Sequence, residues 1–395
     1  MQDDVSADYV TRVLTDMGDV PACDWDALLQ AQATPTPFLR HAYLQAMTRS
    51  GSAVPQTGWA LQLLTLWHGE ALAGACPVWL KTHSRGEYVF DWAWAEAYER
   101  HGLAYYPKAV VASPFTPVPG SRLLARDDHA RDALLQTLLA WCQAQQLPSL
   151  HILFADDTDL AACARAGLMR REQVQFHWQN QDWRDFDDFL ASLNQDKRKK
   201  IRQERRKVRE AGVTFRAVRG PDASASDWAF VQRCYQQTYW EHGNPPYLQP
   251  GFFEAMRAEL APHWLLFMAE RAGEPIGMSL IGLQLAPNGS PSVAYGRYWG
   301  ATERVDCLHF EACYYQPIEW CIRHGVQRFE GGAQGEHKMA RALLPSPTAS
   351  AHWIAHPGFA EAIGRFLERE QQGVGDYMEA LARHSPLRQP PPDQA

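Results

Sequence analysis

Helical and alternating patterns of apolar positions divide the chain into short elements of both kinds. Residues 24–29 and 41–50 carry helical spacing, the second closed by Gly51. Residues 59–67 and 71–81 are apolar runs around His68-Gly69-Glu70, which predicts a hairpin. A helix over 128–146 follows, stopped by Leu147-Pro148, then a strand over 149–154, a helix over 159–166 capped by Gly167 and an alternating strand over 173–179. After a short helix at 185–193, a long one at 195–211 and a strand at 213–218, the same grammar returns. Helices at 226–242 and 249–260 precede strands at 265–270 and 276–285, joined through Arg271-Ala272-Gly273-Glu274-Pro275, and a further strand at 293–299. A closing helical region spans 357–383. The two helix–hairpin–strand sets read as an internal duplication in an α/β (α+β) chain. At 395 residues the chain exceeds what one core serves, so two domains are predicted, 1–184 and 185–384, followed by a disordered Pro-rich tail, 385–395.

Charge sharpens this picture at one place. The total is −7, yet residues 196–210, DKRKKIRQERRKVRE, hold nine Lys or Arg against three acids, a local +6 that leaves −13 on the rest. The basic side chains lie all round this helix, so it cannot be wholly buried. They suit a polyanion, with Lys197, Arg198, Lys200, Arg202 and Arg205 as phosphate ligands. No apolar run approaches the roughly 18 residues of a membrane span. The acidic start, MQDDVSADYV, lacks the basic and apolar regions of a signal peptide, so a cytoplasmic location is expected. The eight cysteines form no C-x-x-C pair and are expected to be reduced core residues, with no metal site.

Candidate chemistry concentrates between Cys307 and Trp353. Leu308, Ala312, Tyr315, Glu319 and Ile322 share one helical face, Gly325 supplies a left-handed cap, and Pro317 inside the helix should kink it and leave the Cys313 carbonyl without its usual donor. A strand over 326–329 ends at Gly331-Gly332, and a loop with Glu336, His337, Lys338 and Arg341 follows. Glu311 and Glu319 on the helix, Glu330 on the strand and this charged loop are expected to converge, as a proton-transfer and anion-binding site requires. Residues 86–108 are rich in aromatics and include Asp91, Trp92 and Glu96, a composition that suits the wall of a pocket for a polar molecule as well as core.

The segment HFEACYYQPIEWCIRHGVQRFEGGAQGEHKMARALLPSPTASAHW resembles the signature of the FemAB-like family of N-acyltransferases. PFLRHAYLQAMTRSGS, GWALQLL and LKTHSRGEYVFDWAWAEAYERHGLAYYPKAVVASPFTPVPGSRLL extend the resemblance over nearly the whole chain. It implies two lobes in tandem with the fold of GNAT acyl-CoA N-acyltransferases, each a mixed, mostly antiparallel sheet flanked by helices. It also implies transfer of an acyl or aminoacyl group from acyl-CoA or aminoacyl-tRNA to an amine of an amino acid, peptide or amino sugar, with no tightly bound cofactor. Loss of catalysis, leaving a module that binds a cell-wall fragment or metabolite, is the alternative. In such a reaction Glu311, Glu336 or His337 serves as base. Lys338, Arg341, His309, Tyr314, Asp91, Trp92 and Glu96 contact substrate. The family wording has a Gly and an aromatic near Ala342-Leu343, which bears on the acceptor pocket. A pyrophosphate-binding loop has only a weak echo in Ala333-Gln334-Gly335-Glu336.

Overall fold

The computed structural model describes residues 9–332 and 335–388; Ala333-Gln334 and most of the Pro-rich tail lie outside them. In chain order the strands are β1 (Val10–Leu14), β2 (Trp59–His68), β3 (Ala71–Lys81), β4 (Lys108–Val111), β5 (Leu124–Ala125), β6 (Ser149–Ala155), β7 (Met169–Gln179), β8 (Val213–Arg219), β9 (Trp264–Arg271), β10 (Glu274–Leu285), β11 (Pro291–Ala301), β12 (Arg328–Glu330) and β13 (Leu344–Ile354). The helices are α1 (Ala22–Gln30), α2 (His41–Arg49), α3 (Trp92–Arg100), α4 (Asp128–Ala144), α5 (Asp157–Arg165), α6 (Phe186–Ser192), α7 (Gln195–Glu210), α8 (Ala225–Glu241), α9 (Pro250–Glu259), α10 (Leu308–Phe310), α11 (Gln316–Arg323) and α12 (Pro357–Arg383).

They divide into two compact units. Unit 1 holds the described residues up to Gln173 with Tyr247–Phe252 and Pro347–Gly375; unit 2 holds Val174–Pro246, Phe253–Ser346 and the described residues from Asp376. The sequence suggested a single cut between 184 and 185. The units are instead made of non-contiguous pieces, because residues 349–354 of β13 pair antiparallel with β6 and so return to unit 1.

In unit 1 the strands pair in the order β1-β2-β3-β4-β6, antiparallel until β4 and β6, which run parallel. In unit 2 the order β8-β9-β10-β11-β12 repeats this, antiparallel until the parallel pair β11–β12, with residues 177–179 of β7 beside β12. In each unit two helices (α1 and α2, or α8 and α9) connect the first and second strands, and one (α4 or α11) precedes the parallel strand. Both lobes thus have the mixed, mostly antiparallel GNAT-like order that the resemblance implied. A parallel neighbour needs a long crossover, which a helix provides in each lobe.

Local chemistry explains the elements. The side chain of Asp127 caps α4 by accepting from Ala130 N, Asn194 caps α7 through Lys197 N, and Ser224 and Asp227 form a reciprocal box at the start of α8. Only Ile201, Glu204 and Val208 of α7 are buried, one stripe on an otherwise wet helix. The unit 1 core gathers Leu64, Leu66, Val78, Leu134, Leu138 and Ile152; that of unit 2 gathers Trp178, Phe189, Phe267, Leu283, Ile318 and Phe329. The aromatic stretch 86–108 forms α3, and Trp94, Tyr98 and Tyr105 pack as core with Ile354, Ile363 and Leu367. β13 lacks a readable strand pattern because Thr348 to His352 are buried on both faces and Pro345 and Pro347 interrupt it. Residues 385–388, expected to be disordered, are ordered: Asn194 N donates to Pro386 O at 2.9 Å and Arg388 N to Ser192 O at 2.9 Å.

Gly300 shows how closely α8 rides on β11. A Cβ there would stand 2.5 Å from the backbone oxygen of Cys234. Neither backbone can give way cheaply, so Gly300→Ala is expected to cost about 1–3 kcal/mol in denaturant unfolding; a cost below ~0.5 kcal/mol would show that α8 can lift off.

Candidate functional site

The parallel pair β11–β12 holds together for only three registers, Val293 to Tyr295 against Arg328 to Glu330. Gly296 and Gly331 follow, and the strands part. Glycine at both places has a steric cause. A Cβ on Gly296 would lie 3.3 Å from Glu330 O, and one on Gly331 would meet the Leu343 side chain at 2.4 Å. On its other edge β11 carries a bulge against β10, where Leu280 faces Tyr298 and Ile281 faces Gly296, leaving Arg297 as the extra residue. Such bulges re-aim side chains beside functional sites. The result is a fork between the two strands.

The residues after the fork fold into a 3-10 turn, Glu336–Arg341. Lys338 is buried, and its Nζ donates to Gly332 O at 2.9 Å, which places the ammonium at the fork. Burial pulls its pKa down to about 8. His337 Nε2 is in hydrogen-bond contact with Tyr314 OH at 3.2 Å. The imidazole titrates below its ordinary value, through burial and then the neighbouring Lys338 and Arg341 charges, and so is neutral at pH 7. The His309 ring lies between Trp299 and Tyr314, with centroids 5.4 and 5.7 Å away, and burial brings it down to about 4. The structure therefore brings His309, Tyr314, His337 and Lys338 together.

Tyr314 reaches this cluster because the helix is widened. Residues Glu311–Tyr315 form a π turn, in which Gln316 N donates to Glu311 O. Pro317 has no N–H to offer Cys313 O, and the expected kink is resolved as this wider turn just ahead of it. Ala342 closes the 3-10 turn at φ +61°, a left-handed backbone that glycine adopts without strain.

Arg341 differs from expectation. It is buried, its two NH2 contacts reach Glu204 at 3.0 and 3.1 Å, its Nε donates to Tyr315 OH at 3.2 Å, and its NH1 to His337 O at 2.9 Å. A guanidinium used on every side anchors the turn and is not open to a substrate anion. Glu311 is likewise engaged. It accepts from Arg205 Nε at 3.1 Å and from Gln316 Nε2 at 2.7 Å, while Arg205 also reaches Glu319 at 2.7 Å. A carboxylate held in this way is an ion-pair partner, which argues against its service as base. Glu336 is exposed and accepts from Tyr377 OH at 2.6 Å.

Glu330 was legible only as one of several acids. It is buried at the end of β12, and burial pushes its carboxyl up to about 7. Arg328 Nε lies 3.0 Å from Oε1 at an angle poor for a hydrogen bond, and Oε2 has no hydrogen-bond partner among the described residues. His177 Nε2 stands 3.9 Å from Oε2. Arg198, Arg202 and Arg205 line an open groove along α7, together with Glu311 and Glu319; Lys197 and Lys200 do not line it.

Asp91, Trp92 and Glu96 belong to unit 1. Asp91 is buried and accepts from Lys108 Nζ and, at 2.6 Å, from Tyr105 OH. Nothing in the sequence announces Lys108 as its partner, and the pairing takes Asp91 away from a substrate role. Trp92 is exposed on α3, as is Glu96, whose carboxylate lies 4.0 Å from Arg100.

Solved structures of the same fold accompany this geometry. The structure of FemX is similar at 10% identity, covering 89% of this chain and 100% of that one with a TM-score of 0.54. L-PGS from Bacillus licheniformis is similar at 9% identity, covering 88% and 97% with a TM-score of 0.53. At such identities the likeness speaks for the fold alone. No curated protein matches the sequence. The sequence profile of the FemAB-like family, described as peptidoglycan biosynthesis/recognition, matches residues 16–389, nearly the whole chain, and the chain belongs to that family.

Proposed function

We propose that the chain is an N-acyltransferase that moves an acyl or aminoacyl group from acyl-CoA or aminoacyl-tRNA to the amine of an amino acid, peptide or amino sugar, with its reaction centre at the β11–β12 fork. The observation that carries this reading is the His337–Tyr314 contact beside a desolvated Lys338 at the fork. Neutral His337 takes a proton from the acceptor ammonium. The free amine attacks the donor's ester or thioester carbonyl, and the Lys338 ammonium faces the developing oxyanion. As the carbon–oxygen or carbon–sulfur bond breaks, Tyr314 O–H protonates the leaving group and recovers a proton from His337 across their hydrogen bond. One amide forms and one ester or thioester bond breaks; of the two protons the acceptor nitrogen gives up, one ends on the leaving group and the other, lost as the tetrahedral intermediate collapses, goes to solvent. The family's peptidoglycan description favours a cell-wall peptide or amino sugar as acceptor.

His337→Ala is expected to lower kcat by about 100-fold with a cell-wall peptide acceptor, a loss typical for a general base. The wild-type rate should rise with pH through a value below 6.5, where His337 loses its proton, and fall through about 8, where Lys338 loses its own. Full activity in His337→Ala, with the acid limb intact, would refute the assignment. A second reading places the base at Glu330, favoured by its raised carboxyl and its unpartnered Oε2 among the described residues. In that event Glu330→Gln removes an acid limb lying near 7, and His337→Ala leaves it. Binding of the acceptor without turnover on either donor would favour the non-catalytic alternative.

A further inference from the structure

The fork chemistry leaves one buried carboxylate of unit 2 without a role. Ile201, Glu204 and Val208 form the buried stripe of α7, and Glu204 is its one charged member. A buried carboxylate is costly unless its oxygens are paired, and both of these are. Arg341 NH2 donates to Oε1 at 3.1 Å and to Oε2 at 3.0 Å, and Tyr315 OH donates to Oε2. Arg341 Nε donates in turn to Tyr315 OH at 3.2 Å, and the guanidinium lies over the Phe310 ring, 3.8 Å from its centroid. An apolar side chain at 204 would bury this stripe of α7 as well, and exchanging buried ionic groups for apolar ones is often neutral for stability or better. The stability of unit 2 therefore does not call for an acid here.

What Glu204 reaches does call for one. Tyr315 follows Tyr314 in the π turn, and neighbouring side chains of a helix point roughly a quarter turn apart. Pinning Tyr315 to Glu204 therefore sets the direction of the Tyr314 ring. Arg341 NH1 donates to the backbone oxygen of His337 at 2.9 Å, so pinning Arg341 fixes where the His337 backbone stands. One carboxylate thus reaches both members of the 3.2 Å Tyr314–His337 contact, each through a single intermediary. The next residue of α7 holds the other end of the same turn, where Arg205 Nε donates to Glu311 Oε1 at 3.1 Å. A π turn is an irregular, widened stretch of helix, and α7 grips its first and last residues, Glu311 and Tyr315. We propose that Glu204 is a positioning residue that keeps Tyr314 and His337 in register for proton transfer, an inference that rests on the reading of that pair as the reacting acid and base.

The test uses the full chain, with a muropeptide as acceptor and acetyl-CoA or alanyl-tRNA as donor. Glu204→Gln keeps the side chain's shape but leaves one acceptor oxygen where Arg341 NH2 and Tyr315 OH both donate, and it turns an NH2 toward one of them. Its kcat is expected to fall about 100-fold with KM within about threefold of wild type, as misplaced reacting groups predict. Amide hydrogen exchange, which needs no substrate, should quicken about tenfold over 308–316 and 335–341 and stay unchanged in α4 of unit 1. Glu204→Met and Arg341→Met each leave a buried charge alone and should lower the thermal midpoint. The double variant removes both charges and should regain most of that loss, yet its kcat should stay about 100-fold down. Arg216→Gln, which breaks the 2.7 Å ion pair to Asp227, should leave kcat within about twofold. A double variant with wild-type kcat would make Glu204 a residue of the fold alone and overturn the proposal. So would a loss confined to KM, or unchanged exchange over 335–341 in Glu204→Gln. Exchange reads no turnover, so failure of this clamp and failure of the His337 assignment, seen as full activity in His337→Ala, are separate results.

Discussion

Lys108→Met is expected to destabilise the protein by about 3–5 kcal/mol, the cost of leaving a buried charge without its partner. Lys108 is wholly buried, and its Nζ donates to Glu87 Oε2 at 2.8 Å, to Ser84 Oγ at 2.9 Å and to Asp91 Oδ2. Burial on its own would raise the Asp91 carboxyl; Lys108, with help from His151, overcomes this and holds it below the ordinary carboxylate range. Burial already pushes Glu87 up to about 7, so that carboxyl can escape by taking a proton. Once the cation is gone, Asp91 keeps a hydrogen bond from Tyr105 OH at 2.6 Å, a neutral donor in place of a charge. Its folded pKa is depressed, so its contribution is present above about pH 4 and is lost as pH falls through the folded value. In the variant burial acts unopposed and raises the Asp91 carboxyl, so protonation relieves it as pH falls while the wild type keeps its contribution, and the difference between the two should be largest near pH 7 and shrink toward pH 4. Urea unfolding at both pH values checks this. A loss below 1 kcal/mol at pH 7 would mean that the methionine site is repacked or that Asp91 is solvated.

Lys338→Met is expected to lower kcat by about 10²–10³, the range for losing one group that stabilises an oxyanion. Stability should move little or rise. Burial lowers the Lys338 pKa to about 8, so between about 8 and 10.5 the unfolded chain holds a proton that the folded chain has released. Stability thus rises with pH over that window, and below it the charged side chain is a cost to folding that methionine removes. Lys338→Arg keeps the charge and should shift the basic limb of the pH–rate profile upward even if its bulk reduces the rate. A Lys338→Met enzyme with a normal rate and an unchanged basic limb would leave this cation no part in the chemistry.

The candidate site is partly legible from local spacing. His337 and Lys338 are neighbours on a short loop after Gly331-Gly332, and His309 and Tyr314 precede them on one helix, so chain connectivity alone brings these groups near each other. The same spacing misleads for Arg341 and Glu311, whose partners Glu204 and Arg205 lie more than a hundred residues earlier on α7. Glu330 was hidden for a related reason. A strand-end glutamate is commonplace in a sequence, and only its burial, against the lowering pull of Arg328, brings its carboxyl up to about 7.

Periodicity, caps and turn residues are local, and they were enough to establish most helices, both hairpins, the duplicated order and the basic character of α7. Hydrogen bonding between distant strands is not local. It alone decided that β13 pairs with β6 and returns to unit 1, that the β11–β12 pair opens after Glu330, and which charged side chains are bound to one another and which still face a ligand.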